Sequence, residues 1–102
     1  MEELKVVGLE NGALRIVLSG DIDLGNAEAF YTETIAAYTE NPANVVFDCV
    51  ALNFIDSTTL GTFVKILKTL KGNGHSVRLV DLQPKIKKLF LICSLDKIME
   101  IA

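Results

Sequence analysis

Four consecutive polar side chains, Asp56 to Thr59, have the clearest chemical potential in this sequence, because they lie between an apolar run and an amphipathic segment. Asp56 or Ser57 is suited to cap the following helix, since a short side chain with an oxygen can accept hydrogen bonds from the first unpaired N–H groups. Three hydroxyl groups in a row exceed what a cap requires. We therefore interpret Ser57 as an exposed residue that a modifying enzyme can reach.

The remaining titratable groups do not form a catalytic set. The single histidine, His75, falls in a Gly-His-Ser turn and is predicted to be solvated. The sequence contains none of the motifs of nucleotide, dinucleotide, zinc-protease or serine-hydrolase sites. Asp21, Asp23 and Asp56 lie in loops that offer too few oxygen ligands for a metal ion. We therefore predict a protein that is not an enzyme and that binds no cofactor and no metal.

The composition favours one soluble domain over residues 1–102. Half of the residues are hydrophobic and 23% are charged, which is ordinary for a globular protein. The charges are interleaved and sum to −3, so no basic face is available for nucleic acid. No apolar run approaches the roughly 20 residues that cross a bilayer, and the acidic start is unlike a signal peptide. We expect a cytoplasmic protein without membrane insertion, in which Cys49 and Cys93 are buried and reduced.

The first half of the chain predicts a hairpin, a helix and a buried strand. Leu4 to Leu9 and Ala13 to Ser19 are β-prone runs that flank an Asn-Gly turn. Asn26 is predicted to cap a helix that ends before Asn41-Pro42. Val45 to Val50 is mostly apolar, which indicates an interior strand covered on both faces.

The second half alternates helices and strands. The pattern predicts a helix from about Thr58 to Lys71 and a strand from Val77 to Leu82, joined to the preceding strand by a right-handed parallel crossover. Pro84 is predicted to begin a third helix with Cys93 on its apolar stripe. Residues 95–102 predict either a final strand or a frayed helix. The fold class is therefore α/β, with a mixed sheet of four to five strands opened by an N-terminal hairpin and three to four helices packed on it.

Three segments resemble motifs of STAS domains, the family of anti-sigma factor antagonists and of their relatives in sulfate transporters. Residues 54–61 resemble the D-S-[SAT]-G-L-G signature, and residues 20–23 resemble the G-[ED]-[IL]-D segment. Residues 84–90, followed by residues 95–98, resemble the closing helix P-x-[VI]-x-[RK]-[LI]-[LF]. The motifs occur in the family's order and cover nearly the whole chain. Thr59 stands where the family usually has glycine.

The resemblance implies a STAS-like fold and a regulator that acts by binding. Unphosphorylated members bind an anti-sigma factor that is also an ATP-dependent serine protein kinase, which frees a sigma factor. Phosphorylation of the motif serine, here Ser57, ends the complex, and a PP2C-type phosphatase restores it. The alternative is a STAS subunit of another assembly, such as a stressosome-like scaffold or the cytoplasmic partner of a lipid-transporting ABC system.

The resemblance also implies which residues meet the partner, because in this family the loop before the first helix lies beside the phosphorylation loop. The expected partner-binding residues are Asp21, Asp23, Asp56, Ser57, Thr58 and Thr59.

Overall fold

A five-stranded mixed sheet runs through the computed structural model, which describes residues 1–102. The strands are β1 (Leu4–Glu10), β2 (Ala13–Ile22), β3 (Asn44–Ile55), β4 (Val77–Val80) and β5 (Glu100–Ile101), and their spatial order equals their chain order. β1 is antiparallel to β2, and all later neighbours are parallel. The hairpin turn places Asn11 at φ 51° and Gly12 at φ 82°, the left-handed conformation that Asn-Gly adopts readily. The predicted sheet and its opening hairpin are confirmed.

All helices pack on one face of this sheet. They are α1 (Ala27–Glu40), α2 (Ser57–Lys71), α3 (Pro84–Ile92) and a short 3₁₀ helix (Leu95–Lys97). The ring of Phe47 on β3 lies 5.7 Å from Phe30 of α1 and 5.5 Å from Phe63 of α2, and Phe63 lies 5.3 Å from Phe90 of α3. One aromatic cluster therefore joins the three helices to the central strand. None of the helices has the length and apolar content needed to cross a membrane.

The other face of the sheet is open, which corrects the prediction that β3 is covered on both faces. Phe47 is fully buried, whereas Val50 is 61% exposed. Val46 pairs in register with Arg15 on one side and Arg78 on the other, and it is half-buried. Long arginine stems can cover apolar surface while the charged groups stay in water. Cover of this kind explains how a solvent-facing strand can carry a nearly continuous apolar run.

Cys93 is exposed, so its predicted burial is wrong, whereas Cys49 is buried as predicted. The apolar stripe of α3 buries only Ile86 and Phe90. The helix ends at Ile92, so Cys93 caps it instead of continuing its stripe, and the next residue turns the chain with a φ of 58°. The tail contains both predicted alternatives, a single helical turn followed by the short strand β5.

Candidate functional site

Asp56 precedes α2 and connects two segments of the chain. Its Oδ1 accepts a hydrogen bond from the Thr59 N–H at 2.9 Å, which caps the helix. Its Oδ2 accepts another from the Leu24 N–H at 2.9 Å, in the loop between β2 and α1. The bond from Thr59 is the main reason that the pKa of Asp56 lies below its usual value; partial desolvation opposes this, and the bond from Leu24 reinforces it. Asp56 is therefore an ionised carboxylate, held in place, at neutral pH.

Thr59 is fully buried and ties α2 to the end of β2. Its hydroxyl donates a hydrogen bond to the carbonyl oxygen of Ile22 and lies 3.0 Å from Oδ1 of Asp56. No part of its side chain reaches the surface. The expectation that Thr59 contacts a partner is therefore wrong for its side chain. The Thr59 side chain is buried beneath the loop before α1, and a glycine at this position would lack both its hydroxyl contacts and its buried methyl group.

The loop between β2 and α1 is shaped by its own polar side chains. Asn26 accepts a hydrogen bond from the Asp23 N–H at 2.8 Å and donates one to the Asp21 carbonyl at 3.0 Å. Asp23 in turn accepts a hydrogen bond from the Gly25 N–H at 2.9 Å. The Asn26 side chain thus stabilises the loop and does not cap α1 as predicted. Instead, the backbone carbonyl of Asp23 accepts from the Ala27 N–H at 2.8 Å.

The exposed surface around the start of α2 carries hydroxyl, acidic and apolar side chains. Ser57, the first residue of α2, is exposed together with Thr58, and Leu24 is 75% exposed beside them. Asp21 is also exposed, and Asp23 is half-buried. We call this set the α2 corner. Its members are Asp21, Asp23, Leu24, Asp56, Ser57 and Thr58.

The hydrogen bond from Leu24 to Asp56 brings the loop before α1 against the start of α2. The resemblance implied that these two segments meet; that their residues bind a partner stays a prediction. Sequence reasoning missed Leu24. Its only signal was a single large apolar residue within an otherwise polar loop, and single exposed apolar residues are common on protein surfaces.

Comparison with known proteins identifies the family of this chain. The model of the STAS domain matches residues 6–102. This chain belongs to the STAS domain family. The anti-sigma-B factor antagonist of Bacillus subtilis is 29% identical to it over 89 residues, which cover 87% of this chain and 81% of that protein.

Two solved structures have the same fold as this STAS domain. An anti-sigma factor antagonist from Mycobacterium paratuberculosis superposes with a TM-score of 0.80 at 24% identity, over 96% of this chain and 82% of that one. The Bacillus cell fate determinant SpoIIAA in its phosphorylated form gives a TM-score of 0.74 at 19% identity, over 97% and 90% of the two chains. The predicted family and fold are confirmed.

The corner of this STAS domain is suited to hold an anion at Ser57. The N–H groups of Ser57 and Thr58 belong to the first turn, where a helix leaves its donors without intrahelical partners. The positive end of the helix dipole lies at the same place. A phosphate on the Ser57 hydroxyl would therefore meet favourable electrostatics from the helix itself.

The only histidine of this STAS domain lies far from the corner. His75 follows the opposite end of α2, which is about 22 Å long. It is half-buried with its Nδ1 hydrogen-bonded to the Tyr38 hydroxyl, so the prediction of a solvated turn histidine is wrong. No group of three or more histidine, cysteine or carboxylate side chains is arranged to hold a metal ion.

Proposed function

We propose that this STAS domain is an anti-sigma factor antagonist that acts in the cytoplasm by binding and not by catalysis. Unphosphorylated, it binds an anti-sigma factor that is also a serine protein kinase, and a sigma factor is released. The kinase then phosphorylates Ser57, which ends the complex, and a PP2C-type phosphatase restores the active form. The observation that carries this proposal is the exposure of Ser57 on a corner whose backbone is held by Asp56 and Thr59.

The relatives support the class of partner and the kind of switch. Similarity to the anti-sigma-B factor antagonist extends over most of both chains. The phosphorylated form of SpoIIAA supports a phosphate-bearing state for the fold that this chain shares. Transfer of both properties to this chain is part of the proposal.

The charge already present explains how a phosphate would end the complex. Phosphorylation adds about −1.5 to −2 charges at pH 7. At Ser57 these charges would lie beside Asp56, whose carboxylate accepts a hydrogen bond from the loop that carries Asp23. A partner surface complementary to the unmodified corner would then meet excess negative charge and added volume.

The proposed contact surface is the exposed part of the α2 corner. Leu24 supplies an apolar anchor, Thr58 a hydroxyl, and Asp21 and Asp23 supply charge. Asp56 adds to the charge of this surface, but both of its oxygens are engaged within the chain, so its main role is to order the corner. Thr59 is buried, so it supports this surface from within and does not contact the partner with its side chain.

Calorimetric titration of the cognate anti-sigma factor with Asp23→Asn tests this surface. The amide oxygen can still accept the Gly25 hydrogen bond, so the change removes charge and preserves the loop. Loss of a carboxylate that is desolvated in an interface should cost about 2 kcal/mol, or roughly 30-fold in affinity. The matched control is Asp96→Asn, an exposed acid on the 3₁₀ helix, which should bind like the wild type. Equal affinity of the two variants would remove Asp23 from the surface.

A further inference from the structure

The outer side of α3 exposes apolar side chains that the core does not use. Leu89 is 38% exposed and Ile92 is 67% exposed. They are three residues apart, so they form one stripe along the helix. Phe54 of β3 is 47% exposed, and it lines a shallow cleft together with Leu89 and Lys85. An exposed apolar area shared by two elements is characteristic of an interaction site.

Unpaired cations border this apolar stripe. Lys85 and Lys88 are exposed and lie on the same side of α3 as Leu89 and Ile92. Neither lysine forms an ion pair within the chain, which is true of all its lysines.

Lys85 lies in the first turn of α3, where the helix dipole disfavours positive charge, and Lys88 lies in the middle of this nine-residue helix. Lys85 therefore does not stabilise the helix locally, and the exposed charges of both lysines are available to a partner.

We propose that this surface binds an amphipathic helix of a protein partner whose apolar stripe is flanked by aspartate or glutamate. We call it the α3 surface, and it consists of Phe54, Lys85, Lys88, Leu89 and Ile92. The cleft between β3 and α3 accepts an apolar side chain, and the two lysines complement the carboxylates, which is the arrangement of a helix bound in a groove. Phe54 is in register with Asp21, so the two surfaces adjoin, but they share no residue and this inference does not require phosphorylation of Ser57.

Amide chemical shifts of the ¹⁵N-labelled chain test the proposal during titration with a synthetic helical peptide. The probe peptide has leucines at positions i, i+3 and i+7 flanked by glutamates, and a second peptide has lysines in place of the glutamates. We expect saturable shifts around Phe54, Leu89 and Ile92 with the glutamate peptide only. Because no kinase or anti-sigma factor takes part, failure here is distinct from failure at Ser57.

Charge reversal gives a matched comparison. Lys85→Glu combined with Lys88→Glu should weaken binding by about tenfold or more, since attraction is replaced by repulsion. Lys5→Glu combined with Lys71→Glu makes the same change in net charge at exposed positions elsewhere and should bind like the wild type. Leu89→Ser, which removes an exposed apolar contact without a charge change, should also weaken binding. Dispersed amide spectra confirm that each variant is folded.

Three outcomes would overturn the proposal. One is the absence of saturable shifts, or shifts confined to the open face of the sheet. The second is equal binding of the glutamate and lysine peptides. The third is sedimentation of the chain with phosphatidylglycerol vesicles, lost on charge reversal of Lys85 and Lys88, without binding of the glutamate peptide. That result would assign the surface to an anionic membrane.

Discussion

The inner and outer sides of the first turn of α2 carry similar side chains with opposite roles. Thr59 faces inward, is fully buried and bonds to the end of β2. Ser57, two residues earlier, is exposed to solvent. Residues two apart in a helix are separated by about 200°, so the hydroxyl groups of Ser57 and Thr59 face opposite sides of the same turn. Because Thr59 holds the inner side, we expect the outer side to accept a change of charge without unfolding of the domain.

Phosphorylation of Ser57 should produce the largest change in the affinity for the anti-sigma factor. We expect the affinity for the anti-sigma factor to fall by more than about 100-fold, which corresponds to a coupling free energy of about 3 kcal/mol. Thermal unfolding should show that the phosphorylated domain is still folded, because the start of α2 tolerates an anion. Calorimetric titration of the two forms measures the affinity. Loss of the folded state on phosphorylation would contradict the prediction that the outer side can change its charge while the inner side stays packed.

Removal of the inner hydroxyl should destabilise the domain. Thr59→Val keeps the shape of the side chain but deletes its hydrogen bond to Ile22, and we expect a loss of about 1–2 kcal/mol in the free energy of unfolding. Thr34→Val is the matched control, since Thr34 is equally buried but its hydroxyl has no hydrogen-bond partner. That variant should be neutral or more stable. Urea unfolding measures the free energy of unfolding of both variants. An equal decrease in the two would show that the hydrogen bond of Thr59 does not stabilise the domain.

The stabilising effect of Asp56 should depend on pH. Its folded-state pKa lies below the ordinary value of 3.8, so its contribution is complete above that value and disappears as the pH falls through the lowered one. Wild type should therefore be more stable than Asp56→Asn at pH 6, and the difference should shrink in acid. Urea unfolding at several pH values measures this. A difference that does not change with pH would mean that the charge of Asp56 does not stabilise the corner.

The two cysteines show the same contrast between a buried and an exposed position. The expected difference is in the rate of thiol labelling, not in stability or binding. Burial raises the pKa of Cys49 to about 12, and the charges of Asp48 and Asp81 add to the shift. Since the thiolate is the reactive form, Cys49 should label slowly in the native state and exposed Cys93 quickly. Labelling with a chromogenic disulfide should give one fast thiol in wild type and none in Cys93→Ser. A fast thiol in that variant would contradict the buried position of Cys49.

Local sequence rules predicted the position of the α2 corner in the chain, but they did not predict that Thr59 is buried beneath it. Capping preferences placed Asp56 before α2, and the Asn-Gly turn defined the hairpin, because both depend on neighbouring residues alone. The inward position of Thr59 depends on the approach of Ile22, which lies 37 residues earlier in the chain. The cover over β3 likewise depends on arginines from neighbouring strands. Such contacts arise only when distant segments meet, and no local pattern encodes them.

Mapping of the phosphate shows whether Ser57 is the modified residue. The chain is incubated with its cognate kinase and ATP, and mass spectrometry is performed on wild type, Ser57→Ala and Thr58→Ala. We predict one phosphate on wild type and on Thr58→Ala, mapped to Ser57 in both, and none on Ser57→Ala. A phosphate retained in Ser57→Ala, or none in wild type, would contradict the assignment of the outer side of this turn as the switch.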